Sequence, residues 1–408
     1  MTKRCPKCSM NCCKASRLSG IAVALFAAAM LGPLAACAAP HRPDRDDAVL
    51  ERLSPTVIAL RQLRGTRVAV ATPELSTALA DARHYIELGR TWSDPRAYGY
   101  AQAALGSWWT AEPAPAKVLV LRAHILQFRH EFDAALVQLA SALRSEPFDA
   151  DAWLLLASIE QVRGNVRAAR SACLKLIPIA DPLVGAGCAA LTAVLSGRSQ
   201  QGEQLLAQAL TRPTAASPSE RAWAWTTLAE LRARRGDATA AEDAFLAALK
   251  LAPDDVYARA AYADLLLDQQ RPRYVRALLG DDPAQADATL LRAAIAARSN
   301  ADTDADALEQ NIARRFAEAR ARGDQTHLRE QARFALELQH DARHALDLAQ
   351  RNFAVQREPA DARVLLESAL AANDEAAAQP ALDWLRETGI DVVQLDALAR
   401  RATIGARQ

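Results

Sequence analysis

The sequence predicts an all-α chain of antiparallel helix hairpins stacked in a row. Three observations carry that prediction. The stretch from Ala116 to Asp255 repeats itself about every 34 residues. Within each repeat the apolar residues fall at helical spacing, as in Ala241, Ala244, Phe245 and Ala248. The composition is 51% hydrophobic but only 5% aromatic, dominated by alanine, with few β-branched runs to make strands.

Set in rows, the repeat places Leu119, Trp153, Ala186 and Trp225 in one column and Ala123, Ala157, Ala190 and Ala229 four residues on. A second half follows: Ala135, Ala169, Gly202 and Ala241; then Leu139, Cys173, Leu206 and Phe245; then Ala142, Leu176, Ala209 and Ala248. Rows end near Pro147, Pro182, Pro213 and Pro253. Small residues let the two helices of a hairpin approach, and large ones fill the space between. Gly164-Asn165 and Gly236-Asp237 mark turns, each a residue tolerant of positive φ followed by a helix N-cap. Ser217, Pro218 and Glu220 read as a capping-box start. One hairpin cannot bury its own face, so the repeats must stack.

These columns resemble the tetratricopeptide repeat, closely over Leu79 to Pro283 and loosely beyond. The resemblance implies a right-handed superhelical solenoid whose concave groove is lined by the first helix of each hairpin. Carried over position by position, the groove residues are Lys117, His124, Gln127 and Phe128; Leu154, Ser158 and Gln161; Trp223, Thr226 and Glu230; and Tyr257 and Asp264, with Val162, Arg234 and Asp268 at further places. The set lacks the Lys, Asn and Arg clamp with which chaperone-binding relatives hold a peptide carboxylate. Phe128, Leu154, Trp223 and Tyr257 beside polar groups suit a protein or peptide partner with a few apolar anchors.

In chain order, residues 1–36 read as a signal peptide. Lys3, Arg4, Lys7, Lys14 and Arg17 precede the apolar run Ile21 to Leu31, which is too short to span a bilayer. Leu34-Ala35-Ala36-Cys37 is similar to the lipobox of bacterial lipoproteins, which makes Cys37 the lipidated first residue of the mature chain. Two or more acyl chains give stable attachment, and Ala38 favours the outer membrane, with the protein facing the periplasm. The other reading is ordinary signal cleavage and a soluble periplasmic protein. Cys5, Cys8, Cys12 and Cys13 lie ahead of the cleavage point, so the Cys5-Pro-Lys-Cys8 spacing is discarded as a metal site. Met10 is an alternative start.

Residues 37–52 form a polar tether, and 53–115 hold N-terminal helices and a degenerate first repeat turning at Ser93-Asp94-Pro95. The solenoid proper covers 116–283. Cys173 on a second helix and Cys188 on the following first helix lie on neighbours; a disulfide and a pair of small buried apolar residues both fit. Residues 284–408 read as degenerate repeats and a C-terminal cap. There, Leu308–Arg322 and Thr326–Leu338 are expected to pair about Gly323-Asp324, and Ala362–Ala372 to pair with Ala378–Arg386. His327, His340 and His344 lack an accompanying acid pair and read as solvated surface rather than a metal site.

Five of the 49 basic residues lie in the first 36 positions with no acid, leaving 44 against 48 acids, a net of −4, interleaved along helices. That pattern does not point to nucleic acid. No phosphate loop, nucleophile elbow or His-Glu-x-x-His motif is present, and no cofactor is implied. The expected function is therefore a lipid-anchored envelope scaffold, not an enzyme, that binds a protein or peptide on its concave face. An accessory role in outer-membrane or exopolysaccharide assembly is one alternative. The other is an enzyme with a site between Asp281 and Gln356, which would appear as a deep polar pocket with carboxylates of displaced pKa.

Overall fold

The computed structural model describes residues 74–282, 285–324 and 326–405. The segments expected to be a signal peptide (1–36) and a tether (37–52), with the expected lipidation position Cys37, and the stretch 53–73 lie outside the described residues.

The described residues form nineteen α-helices: α1 (Leu75–Trp92), α2 (Pro95–Leu105), α3 (Ala116–Phe128), α4 (Phe132–Ser145), α5 (Ala150–Val162), α6 (Val166–Leu176), α7 (Pro182–Val194), α8 (Ser199–Leu210), α9 (Pro218–Arg234), α10 (Ala238–Leu251), α11 (Val256–Asp268), α12 (Pro272–Leu279), α13 (Asp287–Asn300), α14 (Ala305–Ala321), α15 (Leu328–Glu337), α16 (Ala342–Val355), α17 (Pro359–Ala371), α18 (Glu375–Thr388) and α19 (Val393–Gly405). They pair in sequence as nine hairpins, with α19 closing the row. The fold is an all-α solenoid of tetratricopeptide-like hairpins.

The small-residue columns explain the pairing. Ala123, Ala157, Ala190 and Ala229 are fully buried, and so are Ala135, Ala169 and Ala241 in the second column. At Gly202, which occupies that second column, a Cβ would come 2.9 Å from the carbonyl oxygen of Ala190, so α8 lies closer to α7 than alanine permits. Leu139, Leu206 and Phe245 fill the space between helices, and Phe245 stacks on Tyr262 of the next hairpin, centroids 5.5 Å apart.

Caps set the helix starts. Ser217 and Glu220 form the reciprocal capping box of α9, and Asp237 accepts from the Ala240 amide at 3.1 Å. Asn165 does not cap α6; its amide donates to Glu160 at 2.7 Å instead. Each hairpin turns on one residue at positive φ: Ser93, His130, Gly164, Gly197, Gly236, Gln270, Ala301, His340 and Asn373.

The hairpin expected from Leu308 to Leu338 is not formed. Helix α14 pairs back with α13, and α15 pairs forward with α16. Ile312 and Phe316 bury against Leu290, Leu291 and Ile295 of α13, while α15 touches the same cluster through Phe334, edge-on to Phe316 with centroids 5.7 Å apart. Gly323 lies between hairpins rather than inside one.

The superhelix is tightly wound. Helix α1 touches α11, where Arg90 and Asp255 approach to 3.8 Å. The segment 356–394 then returns along the turns of the second to sixth hairpins. Gln356 meets His130, the Arg357 N–H donates to the Val162 carbonyl at 2.7 Å, Trp384 packs over Gly164, and Asp391 accepts from Ser199. Arg363 and Gln394 both donate to Asp268, at 2.7 and 2.8 Å.

Candidate functional site

What remains of the concave face is a cavity of about 920 Å³, open to solvent, between first helices and the returning C-terminal segment. Its early wall comes from the end of α3 and the turn after it (Gln127, Phe128, His130), from α9 (Glu230, Arg234) and from α11 (Tyr257, Ala260, Asp264). Its late wall comes from α13 to α17, with Arg292, Arg315, Arg329, Glu330, Arg333, Glu358 and Arg363. The described lining holds nine arginines and eleven carboxylates.

Asp264 is the hub of this lattice. It accepts from Arg292 at 2.6 and 3.0 Å and from Arg333 at 2.8 Å. Burial works against its charge, yet the two guanidiniums hold the carboxyl well below the usual carboxylate range. Arg333, on α15 with Glu337, to which it also donates at 2.8 Å, ties α15 to α11 through its bond to Asp264. Burial is the largest influence on Glu330 too and opposes its charge, but the charges of Arg329, Arg292 and His327 and a backbone hydrogen bond together outweigh it and pull the pKa down to about 2. Glu358 goes the other way. Burial and the neighbouring Asp361 charge raise its pKa, while Asp361 itself is 1% exposed and accepts from Asn352 at 2.8 Å.

Tyr257 stands in the cavity with 55% of its surface accessible and donates to Glu230 at 2.7 Å. Its accessible face lies deep within the molecule, so burial and the Glu230 and Glu358 charges push its pKa well above the usual value. Phe128 stacks face to face on Tyr98, centroids 3.7 Å apart.

Of the groove positions expected from sequence, the cavity gathers Gln127, Phe128, Val162, Glu230, Arg234, Tyr257 and Asp264. Lys117 is engaged by Asp149 at 2.7 Å and His124 by Asp151 at 3.0 Å, linking one hairpin to the next. Leu154, Ser158 and Gln161 are part-buried along α5 outside the cavity lining. Trp223 packs where a Cβ on Gly187 would stand 2.5 Å from its ring, so it serves the seam between α7 and α9, while Thr226 is 5% exposed and donates to the Ala222 carbonyl of its own helix at 3.0 Å. His327, expected on the solvated surface, lines the cavity. The late wall was not legible, because its arginines reach the groove only through superhelical closure.

Cys173 and Cys188 are joined in a disulfide, Cα atoms 5.6 Å apart, which fastens α6 to α7. Among the described residues no group of three His, Cys, Asp or Glu side chains is placed to hold a metal ion, and no helix is long and apolar enough to cross a membrane.

No protein-family model and no curated protein matches the chain. Among solved structures it is similar to PilF of Pseudomonas aeruginosa, 20% identical over 50% of this chain and 92% of that one, with a TM-score of 0.37. It is also similar to a chain of the Cut9–Hcn1 heterotetramer of the APC/C, 14% identical over 81% of this chain and 63% of that one, TM-score 0.44. A tetratricopeptide repeat protein from Parabacteroides merdae matches at 13% identity over 72% and 98%, TM-score 0.33.

Proposed function

We propose that this chain is a binding scaffold of the bacterial cell envelope, held to the outer membrane by a lipid on Cys37 and facing the periplasm, and that it receives a segment of a protein partner in its central cavity. The observation that carries the reading is the cavity itself. Its roughly 920 Å³ falls in the size range of ligand pockets, and seven first-helix groove residues line it, among them the accessible Tyr257. A peptide with an aromatic or aliphatic side chain for Tyr257 and Phe128, and charges of both signs for the Arg and Asp lattice, is its chemical complement.

Binding rather than turnover is favoured by how the acids are held. Asp264 and Glu330 are fixed as carboxylates by guanidiniums, which suits charge recognition and not proton shuttling near neutral pH. The pocket lacks the net positive lining expected of a nucleic-acid channel. The Cys173–Cys188 disulfide fits an oxidising compartment beyond the inner membrane, and the Leu34-Ala35-Ala36-Cys37 sequence supports the anchor.

The test is affinity capture from envelope fractions with the lipidated chain, set against Tyr257→Ala/Phe128→Ala. Loss of one specific partner supports the cavity as the site. Capture that is indifferent to both substitutions places the site elsewhere. Incorporation of labelled fatty acid, abolished by Cys37→Ala, checks the anchor.

A further inference from the structure

The second helices of the third and fourth hairpins carry a patch that neither the cavity nor the hairpin cores use. On α6, Arg170, Leu174 and Ile177 fall at i, i+4 and i+7 and so share one face, turned away from the buried Ala169, Cys173 and Leu176. Leu174 is 61% exposed, and Ile177, just past the helix end, is 45% exposed. Leu205 of α8 is exposed to the same degree as Ile177. These three line a shallow groove of about 230 Å³ together with buried Cys173 and Gly202 and with Arg170 and Arg198. Large apolar side chains gathered in one exposed groove and bordered by charge mark a docking surface.

The charge of this stretch is as distinctive as its apolar exposure. Residues 166–212 hold five bases, Arg167, Arg170, Lys175, Arg198 and Arg212, against the two acids Asp181 and Glu203, a net of +3 in a chain that carries −4 beyond residue 36. Both acids are already engaged. Asp181 accepts from Thr214 and from the Leu183 and Ala215 amides, and Glu203 accepts from Arg232 and Arg235. None of the five bases is bonded to a carboxylate among the described residues; the Arg198 guanidinium donates to the Ser196 hydroxyl at 3.1 Å. In the cavity, by contrast, Arg292, Arg333 and Arg363 are each held by a carboxylate.

What covers such a face is apolar, anionic and indifferent to the exact placement of the cations. The groove is built on helices, whose backbone groups are already paired, so it offers an extended peptide no main chain to pair with. A bilayer containing anionic phospholipid meets every requirement. Its acyl region receives Leu174, Ile177 and Leu205, and its phosphates receive bases whose long stems let the charged heads stay at the interface. We propose that α6 and α8 form the face by which this protein lies against an anionic phospholipid membrane. The 37 residues from Cys37 to Pro73 reach at most about 120 Å, so a lipid on Cys37 holds the chain near a bilayer without choosing which face meets it. The patch makes that choice. It shares no residue with the cavity lining, so docking leaves the cavity unoccupied.

The test places the full chain on vesicles of phosphatidylethanolamine with phosphatidylglycerol, or of phosphatidylcholine alone, each with a trace of phospholipid carrying a diazirine in its acyl chain. Adducts formed on irradiation are mapped by mass spectrometry. On the anionic vesicles, peptides covering 170–178 and 201–208 should carry about tenfold more adduct than peptides of the cavity helices α9 and α11. Arg167→Gln/Arg170→Gln/Lys175→Gln, and separately Leu174→Ser/Ile177→Ser, should lower that yield about tenfold, as should phosphatidylcholine alone. Unchanged circular dichroism and urea midpoints show that both variants fold. Adducts spread evenly along the chain, or a yield indifferent to the substitutions and to phosphatidylglycerol, overturn the proposal. So does protection of the same peptides from hydrogen exchange by envelope proteins but not by vesicles, which makes the groove a protein-docking site. A chain found to carry no lipid is added to the same vesicles from solution, so failure of the anchor and failure of the face are read apart.

Discussion

The backbone N–H of Arg357 donates to the carbonyl oxygen of Val162 at 2.7 Å. Val162 ends α5, where carbonyls have no partner within the helix. The turn that follows satisfies the carbonyls of Ile159, Glu160 and Gln161 locally and leaves that of Val162 for a donor from the other end of the chain. A helix terminus in the third hairpin of the row is thus completed by the segment that leads into α17.

Asp264→Ala should destabilise the protein by about 3 kcal/mol, because it leaves two guanidiniums inside the cavity without their shared carboxylate. The side chains of Arg292 and Arg333 are only 8% and 15% exposed, so water replaces the lost partner poorly. Arg298→Ala breaks contacts to Asp306 and Glu309 on the open surface and should leave the urea midpoint where it was. Equilibrium urea unfolding of the two variants checks the contrast; equal midpoints would contradict the role given to Asp264.

The hairpins from Ala116 to Asp255 are legible because each row buries small residues at the same places, so the columns are a direct record of helix contact. Farther along, local turn chemistry misleads. Gly323 at φ +74° looks like a hairpin turn but connects two hairpins, whereas the real turn of the seventh hairpin is made by Ala301, which carries no turn signature. Half of the cavity wall is legible through the repeat register, from Gln127 to Asp264. Arg329, Glu330, Arg333 and Glu358 are not, since nothing in their local sequence encodes the winding that carries them to Tyr257.

Stability should fall with acid across the range set by His130. Burial, together with the charges of His327 and Arg329, pushes its pKa down to about 4, although Glu330 and Asp324 act in the opposite direction. Gln356 presents its amide to the ring, 2.9 Å from Nε2, and a neutral ring nitrogen can accept there where an imidazolium cannot. The unfolded chain therefore binds the proton more readily than the folded one. The contribution is fully present above about pH 6.5 and is lost as pH falls toward 4, amounting to roughly 3 kcal/mol at most. Glu330 adds a slope of the same sign, present above about pH 4.5 and lost toward 2. His130→Asn, which tolerates the positive φ, should flatten the unfolding free energy between pH 4 and 6.5 and leave the steeper fall below it. A slope that survives the substitution assigns the effect to another group.

Reducing the Cys173–Cys188 bond, or replacing it in Cys173→Ala/Cys188→Ala, should cost about 3 kcal/mol, the loop-closure value for a separation of 15 residues. Both cysteines are buried, so the reduced chain keeps two small apolar residues at the seam between α6 and α7 and loses little packing. The expected result is a lower urea midpoint with unchanged helical circular dichroism in buffer. Loss of helix without denaturant would mean that the bond is required for stacking the third hairpin on the fourth.

Gly197 and Gly323 separate the two costs of placing a side chain at a left-handed turn. Both sit at positive φ, +66° and +74°, so alanine at either position carries a backbone cost of about 1–2 kcal/mol. A Cβ at Gly323 meets nothing within 4 Å, whereas one at Gly197 meets the Gly389 carbonyl oxygen at 2.5 Å. Backbone cannot rotate out of the way as a side chain can, so Gly197→Ala must push residues 389–391 off the turn and break the Ser199–Asp391 contact as well. Gly323→Ala should therefore lower stability modestly and leave hydrogen exchange at the Arg357 amide as it was. Gly197→Ala should lower stability further and accelerate that exchange. Equal exchange in the two variants would mean that the Gly389 turn yields without lifting the segment, and that the close approach at Gly197 does not hold it in place.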